Sequence, residues 1–218
     1  MPGKAAIASA HPLATAAGHE VLDKGGNAFD AAVAVSAALA VVYPTGNGLA
    51  GGGFYLLHRA SDGREIMIDA REKAPAAATR DMFLGPDGNP VPGLSLNSAL
   101  AAGIAGEPAG MERLVHEYGR LPLAVSLAPA IRLAHEGFAV GPHLRAVIER
   151  KRDVFAKQKD VAKTWLRDGK APPLGTVIRQ PQLARTLETL SRNGLRDFYE
   201  GEIARKLVAG VRKLGGIW

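Results

Sequence analysis

Thr45-Gly46-Asn47-Gly48-Leu49-Ala50-Gly51-Gly52-Gly53 opens into the apolar run Phe54-Tyr55-Leu56-Leu57-His58-Arg59. Ser61-Asp62-Gly63 separates that run from a second, Glu65-Ile66-Met67-Ile68-Asp69-Ala70, which ends at Arg71. The glycine-rich segment has access to backbone conformations closed to other residues. Two short apolar runs about an Asp-Gly predict a β-hairpin, apolar enough on both strands for each to be central in a sheet. Upstream the period is helical. Leu13, Ala16, Ala17, Val21 and Leu22 place a helix over Pro12–Leu22, stopped by Lys24-Gly25-Gly26. Asn27 is a good N-cap for a second helix from Ala28 to Val42, whose small residues lie on nearly every face and whose end is marked by Pro44.

Downstream of Arg71 the chain is irregular and rich in Pro and Gly as far as Gly110. Helical patterns then return over Glu107–Tyr118, Pro122–Glu136, Pro142 to about Gln158, Pro181–Asn193 and Glu202–Leu214. Three of these start at or beside a proline, whose missing N–H costs nothing in a first turn. No repeat or low-complexity linker interrupts the 218 residues, so a single region with no internal boundary is expected. A 47% hydrophobic content is enough for a real core, and helices about a central hairpin make the fold class α+β.

Composition excludes several kinds of chemistry. There is no cysteine, hence no disulfide, thiolate metal site or cysteine nucleophile. His11, His19, His58, His116, His135 and His143 form no close ligand spacing, and no metal site is expected. Gly46-x-Gly48-x-x-Gly51 has the letters of a dinucleotide fingerprint, but it follows a helix and opens a strand, the reverse of the order that aims a helix N-terminus at a pyrophosphate. Residues 1–110 carry 7 basic and 10 acidic side chains and residues 111–218 carry 20 and 11. The basic half has no aromatic interleaving for base stacking, and Arg145–Lys170 reads as a polar helix followed by a loop with a solvated basic face, not a nucleic-acid site. The start Met1-Pro2-Gly3-Lys4 lacks the layout of a signal peptide, and the most apolar run, Ala28–Tyr43, carries Asp30 and is too short to span a membrane.

Arg71 stands apart from the other charged residues because it ends an apolar strand and begins an irregular segment. A guanidinium there presents a planar fork suited to a carboxylate, beside a loop that lets a substrate approach backbone closely. The local alternative is a structural pair with Asp69 or Glu72, which pattern alone places slightly ahead.

Several segments together resemble the γ-glutamyltranspeptidase family in order and spacing. They are Ala8-Ser9-Ala10-His11-Pro12-Leu13-Ala14, Gly25-Gly26-Asn27-Ala28-Phe29-Asp30-Ala31-Ala32-Val33-Ala34, Gly51-Gly52-Gly53-Phe54, and Asp69-Ala70-Arg71-Glu72-Lys73-Ala74-Pro75. Ala76-Ala77-Ala78-Thr79-Arg80-Asp81-Met82-Phe83, Ala128-Pro129-Ala130, Ala134-His135-Glu136-Gly137-Phe138, Asp197-Phe198-Tyr199-Glu200-Gly201 and Gly215-Gly216 extend the match over nearly the whole chain.

The resemblance implies an N-terminal-nucleophile hydrolase, an αββα sandwich of which this chain is an incomplete, large-subunit part. It implies a proenzyme that cuts itself to expose a threonine, whose hydroxyl attacks a γ-glutamyl amide with its own α-amine as base. Glutathione or another γ-glutamyl compound is then the donor, water or an amino-acid or peptide amine the acceptor, and no cofactor takes part. Arg71 matches the arginine that grips the donor's α-carboxylate. No Thr-Thr pair occurs here, and Thr15, Thr45, Thr79, Thr164, Thr176, Thr186 and Thr189 lie in none of the right contexts. The nucleophile and the oxyanion donors are therefore expected beyond Trp218, in the remainder of the large subunit and in the small subunit, with this part inactive alone. A periplasmic or secreted location is expected from the family. A cephalosporin-type acylase of the same fold and a non-catalytic binding remnant are the alternatives, and a Pro2 amine exposed by loss of Met1 is a further candidate nucleophile.

Overall fold

The computed structural model describes residues 5–218, so Pro2 lies outside it. In chain order its elements are α1 (Pro12–Asp23), α2 (Ala28–Val42), β1 (Gly53–Arg59), β2 (Arg64–Ala70), α3 (Leu94–Asn97), a 3₁₀ turn at Ala99–Ala101, α4 (Glu107–Tyr118) and α5 (Leu123–Glu136). There follow β3 (Phe138–Ala139), α6 (Pro142–Ala156), α7 (Lys159–Trp165), β4 (Val177–Ile178), α8 (Pro181–Asn193), α9 (Asp197–Glu200) and α10 (Glu202–Lys213). The class is α+β. The residues group into two compact units, one up to Gly48 together with Arg113–Gly194, the other Leu49–Glu112 together with Leu195–Trp218.

The first unit is a row of helices in which α2 packs against α1 and α5, and α5 packs in turn against α8. The small side chains of α2 allow this. Ala34, Ala37 and Ala38 are fully enclosed, as are Ala14 of α1 and Ala130 and Ala134 of α5, so the backbones approach closely while Val33, Val41, Leu127, Leu187 and Leu190 fill the larger spaces.

Asp30 is fully buried in this unit. A buried carboxylate must be satisfied by donors. It accepts from the backbone N–H of Asn27 at 2.9 Å while the Asn27 carbonyl side chain accepts from Phe29 and Asp30 N–H at 2.9 and 3.1 Å, which is a reciprocal capping box. The same carboxylate takes the N–H groups of Arg120, at 3.1 and 3.0 Å to its two oxygens, and of Leu121 at 3.3 Å. The Asn27 amide closes the arrangement by donating to the Tyr118 carbonyl at 2.6 Å. One Asn-Ala-Phe-Asp stretch thus caps α2 and fixes the α4–α5 connection.

The second unit is built on the hairpin, in which β1 and β2 pair antiparallel from Gly53↔Ala70 to Arg59↔Arg64. The connection is four residues long, Ala60 to Gly63, with the Asp62-Gly63 pair inside it and Gly63 at φ +69°. The strands also depart from the expectation that both are central. Among the described residues the sheet has two strands, and its faces differ: Leu57, Ile68 and Ala70 are buried, whereas Phe54, Leu56 and Met67 are 59%, 78% and 62% exposed. Three further short elements lie where irregular chain is expected, namely α3, α7 and α9, and β3 pairs with β4 through Phe138↔Ile178 and Ala139↔Val177.

Candidate functional site

Arg71 is the first residue past β2, and the backbone on either side of it is tightly held. A Cβ built on Gly106 would lie 2.2 Å from the Ala70 carbonyl oxygen and 2.5 Å from that of Arg71, and one built on Gly52 would lie 2.4 Å from the Ala70 oxygen and 2.8 Å from the Glu72 nitrogen. Only glycine fits either position, because the obstructing atoms are main chain and cannot rotate away. Gly110, on α4, sits just as closely on the Ala70 methyl and the Tyr55 ring, at 2.6 and 2.7 Å. Three glycines from two separate segments therefore close around the end of β2.

Hydrogen bonds complete the frame. The Gly51 carbonyl accepts from both Gly106 and Glu107 N–H at 3.0 Å, tying the glycine loop to the start of α4. Lys73 and Ile104 exchange backbone hydrogen bonds of 3.0 and 2.7 Å just beyond Arg71. Beneath the loop, the buried Glu107 carboxylate accepts from the Tyr55 hydroxyl at 2.6 Å. The Tyr199 hydroxyl donates to the Ala105 carbonyl at 3.0 Å and accepts from Ala109 N–H at 3.1 Å, and burial raises its pKa above the usual phenol value.

Within this frame the Arg71 side chain is 55% exposed. Its backbone N–H donates to the Asp69 carboxylate at 2.9 Å, and its guanidinium approaches Glu72 at 3.3 Å. That approach is an ion pair by distance only, since the buried Glu72 Oε2 accepts no hydrogen bond among the described residues. Of the two local partners expected from the sequence, Glu72 approaches the guanidinium, whereas Asp69 meets only the backbone N–H. The guanidinium fork itself makes no hydrogen bond among the described residues. Sequence reasoning missed Glu107 and Gly106; a buried acid at a helix start with a glycine before it was the available signal.

The histidines stay apart. His11 caps α1, accepting from Leu13 N–H through Nδ1 at 3.2 Å, and burial lowers its pKa, which favours the neutral, accepting form. His135 meets Glu188 at 2.6 Å and His143 stacks on Tyr43. No cluster of metal-ligating side chains occurs among the described residues. No helix among them is long and apolar enough to cross a membrane.

Comparison with known proteins bears directly on this geometry. The glutathione hydrolase proenzyme of Escherichia coli is 40% identical over 212 residues, a match covering 97% of this chain and 36% of the relative. The chain spans about a third of the length of the curated relatives it matches. The crystal structure of Helicobacter pylori gamma-glutamyltranspeptidase superposes with a TM-score of 0.93 at 39% identity, covering 99% of this chain and 63% of that one. Cephalosporin acylase from Bacillus halodurans superposes at 0.83 with 32% identity, covering 95% and 39%. The fold is that of the N-terminal-nucleophile hydrolases these structures share. Because the family model for gamma-glutamyltranspeptidase matches residues 14–218 as well, the chain belongs to the gamma-glutamyltranspeptidase family.

Proposed function

We propose that residues 1–218 are the N-terminal part of the large subunit of a γ-glutamyl hydrolase and transferase, in which Arg71 holds the α-carboxylate of the donor. The observation that carries this reading is an exposed guanidinium with no hydrogen bond, on backbone fixed by Gly52, Gly106 and Gly110. A carboxylate can accept two parallel N–H bonds from such a fork, and the fixed backbone lowers the ordering cost of forming them. Glutathione or a related γ-glutamyl amide is the donor, and water or an amino-acid or peptide amine takes the acyl group. The threonine nucleophile, in this reading, lies on a small subunit produced by self-cleavage.

The outward face of the hairpin supports a partner of that kind. Phe54, Leu56 and Met67 expose apolar surface suited to burial under the remainder of the fold. The site of action is the periplasm or the exterior, as the family resemblance implies. A second reading, an acylase taking cephalosporin-like substrates, draws on the fold shared with the Bacillus halodurans enzyme. Arg71 separates the two, because an acyl group without an α-carboxylate has no use for the fork. In the complete two-subunit enzyme, Arg71→Leu should raise KM for a γ-glutamyl anilide about 100-fold, the value of two charge-assisted hydrogen bonds, with a smaller effect on kcat. An unchanged KM removes Arg71 from the site and favours the acylase.

A further inference from the structure

Apart from the Arg71 region, the first unit holds a cleft of about 570 Å³ between α7 and the start of α8. Lys163, Arg167, Arg179 and Arg185 line it against a single carboxylate, Asp160. Among the described residues Lys163, Arg179 and Arg185 have no ion-pair partner, although the chain elsewhere pairs many of its cations within a turn, as in Arg113–Glu117 and Lys206–Glu202. Arg167 turns its guanidinium to the backbone carbonyls of Lys163, Thr164 and Leu166, which closes the end of α7.

The opposite wall adds a second kind of donor. Gln180, Pro181, Gln182 and Leu183 belong to the first turn of α8, and no side chain caps it. Gln180 occupies the capping position, but its amide donates to the Val41 carbonyl at 2.8 Å. Pro181 has no N–H and that of Ala184 donates to the Gln180 carbonyl, so the N–H groups of Gln182 and Leu183, with the helix dipole, add positive potential to the same cleft as the unpaired cations. Like charges gathered in a concavity repel one another in the absence of a counter-ion, so the arrangement favours an occupant that is itself negative. Trp165 and Leu183 supply apolar wall on either side.

We infer that this cleft binds a small multivalent anion, one carrying two or more phosphate or carboxylate groups. This does not depend on the role of Arg71. The experiment is titration calorimetry on the complete two-subunit enzyme with sodium triphosphate and with citrate, at matched ionic strength, which separates phosphate from carboxylate ligands. Binding of at least one is expected, weakened about tenfold by Arg179→Gln and again by Arg185→Gln, as the loss of one charge-assisted contact each implies. Arg150→Gln, at an exposed position of α6, makes the same charge change outside the cleft and should leave affinity within about twofold. The inference is overturned if neither anion binds, or if Arg150→Gln weakens binding as much as Arg179→Gln, which would make the attraction one of net charge alone.

Discussion

Removing the Asp30 side chain should be among the most damaging single changes in the first unit. Its carboxylate accepts from three backbone N–H groups, those of Asn27, Arg120 and Leu121. A hydrogen bond to a charged group contributes about 1.5 kcal/mol or more, and the donors left behind are only partly reached by water, so Asp30→Ala should cost about 3–4 kcal/mol. Asp30→Asn keeps one acceptor oxygen but points an N–H₂ at backbone donors, and should cost about 2 kcal/mol. With a urea dependence of about 2 kcal/mol per molar, the alanine variant should unfold at a midpoint about 1.5–2 M lower, followed by circular dichroism at 222 nm. Asn27→Ala, which removes the reciprocal cap and the bond to Tyr118, should cost about 1–2 kcal/mol, and the double variant less than the sum, because both act on one network. A shift below about 0.5 M for Asp30→Ala would refute the reasoning, showing that water takes over the three donors at little cost.

Gly106→Ala forces a methyl onto the Ala70 and Arg71 carbonyl oxygens and should cost about 2–3 kcal/mol; in the complete enzyme KM for a γ-glutamyl donor should rise with it, and an unchanged melting temperature would show that the backbone yields freely. Glu20 joins α1 to α5 through Arg132 at 2.6 Å and to Lys24 at 2.8 Å, and its carboxyl pKa is lowered first by the Arg132 hydrogen bond. Its contribution is therefore present above the ordinary carboxyl range near 4.5 and lost as pH falls through the lower folded value, so wild type and Glu20→Gln should differ by up to about 1 kcal/mol at pH 6.5 and converge near pH 3 in urea melts. Leu56→Lys combined with Met67→Glu replaces an exposed cross-strand apolar pair by an ion pair and should reduce 8-anilinonaphthalene-1-sulfonate fluorescence without changing the far-ultraviolet spectrum; unaltered fluorescence would place the dye's apolar surface elsewhere.

The long helices were legible because each carried its own boundary chemistry. Asn27 and Asp30 cap α2, and Pro142 and Pro181 open α6 and α8 at the residues the pattern indicates. α7 was hidden because its seven residues have no side-chain cap and follow directly on the polar end of α6. β3 and β4 are two residues each and exist through long-range pairing, of which a local window contains no trace. The hairpin is legible from its two apolar runs, whereas the exposure of Phe54, Leu56 and Met67 among the described residues is not, because apolarity alone carries no information about which face a neighbour covers.

The site was legible in part, and the division follows from what sequence spacing encodes. Arg71 could be singled out because a strand end is a local feature, yet local pattern ranked its pairing with Asp69 or Glu72 slightly above a ligand role. The geometry makes those two readings compatible instead of exclusive. Asp69 takes the backbone N–H and so fixes where the side chain leaves the chain, while Glu72 approaches the guanidinium at 3.3 Å without an aligned hydrogen bond. A neighbour that attracts the cation without occupying its donors leaves those donors free for the carboxylate proposed as its ligand. The glycines that hold this frame are 54 residues apart in sequence, at positions 52 and 106, and each approaches the same Ala70 oxygen. Spacing along the chain gives no sign of that convergence, which arises only when the start of α4 is laid against the end of β2. A larger residue at either position would leave the Arg71 side chain intact but move its point of attachment, so the two glycines fix where the guanidinium stands without being next to it in sequence.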